Sequence, residues 1–63
     1  MIPIDTLTEA DIGRWVTYRS SEPGRIKTWN PTFIFVVYHS NGDWNNFALY
    51  DAFATLPEDL EFR

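Results

Sequence analysis

The segment Phe33-Ile34-Phe35-Val36-Val37-Tyr38-His39 is apolar on both of its alternating faces, and nothing else in the chain limits the fold as tightly. Side chains alternate across a strand, so Ile34, Val36 and Tyr38 fall on one side and Phe33, Phe35 and Val37 on the other. A strand of this kind needs cover on both faces. Yet 63 residues build a single small core. The second face therefore needs a further cover. Either the N-terminal segment lies across it with Ile2, Ile4, Leu7 and Ile12, or a second copy of the chain does. In the second case Phe33, Phe35 and Val37 are the interface residues of a homo-oligomer.

Stability in so short a chain has few sources. Cores below about 70–80 residues rarely supply more than about 3–5 kcal/mol without a staple. There is no cysteine, so no disulfide forms, and one histidine without thiolates does not complete a tetrahedral zinc shell. No metal and no cofactor is expected. What remains is aromatic packing, with 17% Phe, Trp and Tyr, or assembly. Five Lys+Arg against nine Asp+Glu give a net charge of −4, which argues against tracking a nucleic-acid duplex. The cations are clustered all the same: Arg14, Arg19, Arg25 and Lys27 fall close together, enough for a small anion. No apolar run approaches the roughly 20 residues of a membrane span. Met1-Ile2-Pro3 has neither a basic nor an apolar signal region, so a complete, cytoplasmic chain is expected.

Turn and strand signals divide the chain regularly. Thr6-Leu7-Thr8-Glu9 fits a capping box, so Leu7–Ile12 reads either as one or two helical turns ended by Gly13 or as a 3₁₀ turn or loop. Arg14–Arg19 alternates and reads as a strand; Pro23-Gly24 predicts a type II turn; Arg25–Trp29 is a second alternating strand. Asn41-Gly42 is a strong hairpin signal, which makes Trp44–Tyr50 the return partner of the central strand. Asp51–Thr55 reads either as a continuation of that strand or as a loop. Pro57–Leu60 predicts a single 3₁₀ turn before a short last strand over Glu61–Arg63. The sum is an all-β chain forming one domain over residues 1–63. It is a small five-stranded antiparallel SH3-like barrel with residues 1–12 as an N-terminal cover. Val16, Tyr18, Ile26, Ile34, Val36, Phe47 and Leu49 are its expected core.

The spacing of the aromatic positions carries a resemblance. Gly13-Arg14-Trp15-Val16-Thr17-Tyr18, Gly24-Arg25-Ile26-Lys27-Thr28-Trp29-Asn30, Phe35-Val36-Val37-Tyr38, Asp43-Trp44-Asn45-Asn46-Phe47 and Pro57-Glu58-Asp59-Leu60-Glu61-Phe62 follow one another in order. Together they resemble a group of small uncharacterised proteins from tailed phages and prophages. The resemblance covers about residues 12 to 62 and implies a phage-associated SH3-like fold in the cytoplasm of a bacterial host, with no catalytic residues attached. A looser likeness is to the plasmid-borne, trimethoprim-resistant dihydrofolate reductases, barrels that work as tetramers around a pore. Phe47-Ala48-Leu49-Tyr50 stands at the position of their Val-Gln-Ile-Tyr motif, with Ala48 in place of the ligand-binding glutamine, which argues against reductase activity.

Catalytic chemistry finds little to work with. His39 and Ser40 suggest a base beside a nucleophile, but adjacent residues on a strand point to opposite faces. Asp43 and Asp51 form a weak carboxylate pair, since Asp43 is explained by the Asn-Gly-Asp turn. The aromatics carry a better reading: Trp15, Trp29 and Trp44 either cap the barrel ends or form a recognition surface. Alternation puts Arg25, Lys27 and Trp29 on one face, a stacking plate beside two cations, with Trp15, Trp44 and Tyr50 as further ligand or partner contacts. Three functions follow in order. The first is a non-enzymatic binding module that engages a host or phage protein, as an anti-defence or host-modulating factor. The second is a homo-oligomer that binds a small nucleotide-like or anionic ligand. The third is a pore-type reductase.

Overall fold

The computed structural model describes residues 1–63. Its five strands are β1 (Trp15–Tyr18), β2 (Glu22–Trp29), β3 (Ile34–Val37), β4 (Phe53–Thr55) and β5 (Leu60–Phe62). They form one antiparallel sheet in the order β4-β3-β2-β1-β5, with β4 and β5 at its edges. Short 3₁₀ turns complete the chain at Ile4–Thr6, Glu9–Asp11, Trp44–Leu49 and Pro57–Asp59. The all-β class and the 3₁₀ turn before the last strand agree with the sequence reading.

One cluster holds the core: Ile2, Val16, Ile26, Ile34, Val36 and Leu60 are all at most 1% exposed. Burying an aliphatic side chain of this size contributes about 1.5–3 kcal/mol. Ile2, with Ile4 and Leu7 packed on the cluster, brings the N-terminal segment onto this main core rather than onto the second face of β3. That second face is covered from elsewhere. Val37 is fully buried yet outside the main cluster, and it sits directly opposite Arg25. Cross-strand partners share a face, and Arg25 reaches Phe47 and the Trp44 carbonyl from there. The Trp44–Leu49 turn is thus the cover, and Val37 has no free surface to give an interface; Phe33 and Phe35 are half-buried.

Several local expectations are corrected. The tight turn lies at Arg19-Ser20, not at Pro23-Gly24: Arg19 and Ser20 take φ of +48° and +62°, and the Ser21 N–H donates to the Tyr18 carbonyl at 3.1 Å. Pro23 and Gly24 lie within β2, opposite Thr17 and Val16. Gly24 is there for closeness, because a Cβ on it would fall 2.5 Å from Val36 Cγ1 and 2.9 Å from the Val37 carbonyl oxygen. The N-terminal cap is shifted too: Thr8 N–H donates to the Asp11 carboxylate at 3.0 Å, while the Thr6 hydroxyl turns back to the Pro3 carbonyl.

Trp44–Tyr50 is not a strand. The Asn41-Gly42 turn forms, with both residues at positive φ and the Asp43 N–H donating to the Ser40 carbonyl at 2.8 Å. Beyond it, polar side chains bond locally instead of freeing the backbone for a ladder. Asn46 Nδ2 donates to the Asp43 carboxylate at 3.0 Å, and the Tyr50 hydroxyl donates to it at 3.2 Å. The partner of β3 on that side is Phe53–Thr55. Of the expected core, Leu49 is consequently 82% exposed, and Phe47 packs on Arg25 rather than inside the main cluster.

Candidate functional site

Two aromatic groups contain cations, and they differ in how those cations are used. In the first, Trp15 and Trp44 rings meet at 4.7 Å between centroids. The Arg25 guanidinium lies 4.5 Å from the Phe47 ring and 5.5 Å from that of Trp15. Its Nε donates to the Gly13 carbonyl at 2.7 Å and its Nη1 to the Trp44 carbonyl at 2.8 Å. Gly13, at φ +89°, makes room for this: a Cβ there would lie 3.1 Å from Arg25 Nη2. Nearby, Arg14 bonds the Asp11 carboxylate at 3.0 Å and stands 3.7 Å from the Phe62 ring centroid.

Lys27 is similarly committed, its Nζ donating to the Tyr50 carbonyl at 3.2 Å. Burial, and then the hydrogen bond it donates to the Asp43 carboxylate, raise the Tyr50 phenol above its usual range. Trp29 is elsewhere. The ladder between β2 and β3 steps from Ile26 opposite Val36 to Thr28 opposite Phe35, so Lys27 is an extra residue, a β-bulge. That one-residue slip turns Trp29 onto the main-core side, opposite Ile34 and against the core cluster. Of the sequence-based site residues, Arg25, Trp15 and Trp44 come together and Lys27 joins Tyr50. Trp29 does not join Arg25 and Lys27, and the three-residue stacking plate does not form.

The second aromatic group opens to solvent. Tyr18 at the end of β1, Tyr38 just after β3 and Phe53 at the start of β4 line an open cleft of about 640 Å³. All three face the core side: Tyr18 and Tyr38 pack on the core cluster, and Phe53 is directly opposite Val36. The rings are spaced at 6.0 Å (Tyr18 to Tyr38, edge-on) and 6.3 Å (Tyr38 to Phe53). Phe53 is 55% exposed and Leu56, also in the cleft, 43%. The Tyr38 hydroxyl donates at 2.8 Å to buried Thr55 Oγ1, which donates onward to the Phe53 carbonyl. Burial pushes the Tyr38 phenol above its usual range, keeping it protonated at neutral pH.

The lip of this cleft is the Arg19-Ser20 turn. Positive φ in a non-glycine residue costs roughly 1–2 kcal/mol, and such strain gathers at functional sites. The turn is tied down by the Arg19 N–H donating to the Asp59 carbonyl at 2.9 Å. The Arg19 guanidinium in turn lies 5.2 Å from the Tyr18 ring centroid, with Nε 3.4 Å from Asp59 Oδ1. Glu22 and His39 are exposed and complete the rim.

Sequence reasoning missed this site because Tyr18 and Tyr38 satisfied the pattern of core residues, and Phe53 stood in an unassigned stretch. The usable signal was tyrosine at two strand ends, an aromatic body with a polar tip. His39 and Ser40 form no dyad: His39 is exposed, whereas the Ser40 hydroxyl is buried without any hydrogen-bond partner. No helix is long and apolar enough to cross a membrane. Comparison with protein-family models, with curated proteins and with solved structures finds no match for this chain.

Proposed function

We propose that this protein is a small non-enzymatic binding module that engages a protein partner through the Tyr18–Tyr38–Phe53 cleft. One observation carries the reading: two large exposed apolar side chains, Phe53 and Leu56, share a cleft whose lip is a strained non-glycine turn. Exposed aromatic surface at a fixed concavity is the usual anchor of a protein interface. The strand order β4-β3-β2-β1-β5, with a 3₁₀ turn leading into β5, supports an SH3-like barrel as the scaffold. The resemblance to phage and prophage proteins supports a partner from the bacterial host or from the phage, met in the host cytoplasm. The small-anion alternative is weakened, because Arg25 and Lys27 already donate to backbone carbonyls.

The test is capture of a partner from bacterial lysate on immobilised protein, wild type beside Phe53→Ala. Phe53 is more than half exposed, so the variant folds. A stoichiometric partner retained by the wild type should be lost from Phe53→Ala, since truncating an interface anchor costs about 2 kcal/mol or more. Equal retention by both proteins would refute the assignment of the cleft.

A further inference from the structure

We infer that the cleft receives a cationic side chain, a lysine or arginine of a basic partner segment, against the rings of Tyr18, Tyr38 and Phe53. The inference rests on the cleft being the recognition surface and names the chemistry of what enters it. Aromatic rings attract a cation placed over their faces within about 6 Å. Here the three rings are spaced by 6.0 and 6.3 Å around one opening. The protein itself shows the preference, because its own Arg19 holds a guanidinium 5.2 Å from the Tyr18 centroid. That contact is open to displacement: the Arg19 side chain is 66% exposed, and its link to Asp59 is a long 3.4 Å. Tyr38 and Phe53 carry no cation of this chain over their rings.

Charge points the same way. Glu22 stands at the rim without an ion-pair partner, and Asp59 is the second carboxylate in the lining. Arg19 is the single permanent cation there, and the whole chain carries −4. A partner residue bearing positive charge meets two carboxylates and three rings, and it replaces Arg19 rather than being repelled by a built-in basic patch. A neutral apolar side chain would fill the same space but would leave Glu22 unpaired.

The experiment is an aromatic ¹H–¹³C NMR titration with three capped tripeptides: acetyl-Gly-Arg-Gly-amide, acetyl-Gly-Leu-Gly-amide and acetyl-Gly-Glu-Gly-amide. The arginine peptide should move the Tyr18, Tyr38 and Phe53 resonances along a saturating curve, binding about two- to fivefold more tightly than the leucine peptide. Arg19→Ala should strengthen that binding about twofold by removing the internal competitor, and Glu22→Gln should weaken it by a similar factor. If the leucine peptide saturates the same rings equally well, the cleft remains a recognition surface and the cationic inference falls. If no peptide moves these rings, both fall. Weaker arginine binding in Arg19→Ala would also overturn the inference, because Arg19 would then support the site instead of occupying it.

Discussion

Arg25 lies against the rings of Trp15 and Phe47, and Arg19 against that of Tyr18 in the Tyr18–Tyr38–Phe53 cleft, but the two regions treat their cation differently. Arg25 is bound at 2.7 and 2.8 Å to the backbone carbonyls of Gly13 and Trp44. Arg19 touches Asp59 at 3.4 Å and is largely solvated. One region joins three stretches of chain, at Gly13, Arg25 and Trp44, and so acts as a fastener in place of a disulfide. The other bonds the Tyr38 hydroxyl to Thr55, holds its arginine only at the surface, and leaves Phe53 more than half in solvent. Aromatic residues beside arginine therefore mean opposite things within one small molecule. What separates the cases is whether the hydrogen-bond donors are already satisfied.

The most damaging change should be Gly24→Ala, which breaks the frame common to both regions. Its methyl would enter the space of Val36 and Tyr38, and overpacking of this kind costs about 3 kcal/mol. Urea denaturation should find the variant at or near unfolded. Arg25→Met sharpens the contrast itself. It keeps the apolar bulk but strips two carbonyls of a charged donor, an expected loss of about 2 kcal/mol in the same assay. On the cleft side, Ser20→Gly should raise stability by about 0.5–1 kcal/mol, because glycine accepts φ +62° without strain. An unchanged urea midpoint would show that the lip is not strained.

The smallest effect is a titration. A hydrogen bond from the Thr8 backbone and then the Arg14 guanidinium hold the Asp11 carboxyl below the usual carboxylate range. A lowered folded value means that the unfolded chain binds the proton more readily. The contribution is therefore present above about pH 4 and is lost as pH falls through the folded value. Asp11→Asn should remove that part of the acid dependence of the urea midpoint and leave the midpoint's behaviour above pH 6 flat.

The strands β1, β2 and β3 were largely legible in the sequence, because the first two alternate and the third is a continuous run of β-branched and aromatic residues. The 3₁₀ turn at Pro57 was legible as well, from its proline. What could not be read was set by tertiary contacts. Gly24 looks like a turn glycine, and only the approach of Val36 shows why it lies in a strand. The bulge at Lys27 has no signature in Arg25–Trp29, yet it alone moves Trp29 away from Arg25. Trp44–Tyr50 has strand-like aromatics, but Asp43 and Asn46 fold it back on itself. The candidate site lies where the core side of the sheet opens at Tyr18, Tyr38 and Phe53, and the same alternation that put Tyr18 in the core, and Tyr38 on the face of Ile34 and Val36, gave no sign of the opening.

The central claim is that one aromatic region holds the fold while the other is left for recognition. It is tested most directly by urea unfolding of Arg25→Met and Phe53→Ala side by side. The account predicts that Arg25→Met loses about 2 kcal/mol and Phe53→Ala less than about 1 kcal/mol, because a half-solvated ring has little burial to lose. A loss from Phe53→Ala as large as that from Arg25→Met would contradict it, making the cleft a part of the core and not a surface kept for a partner.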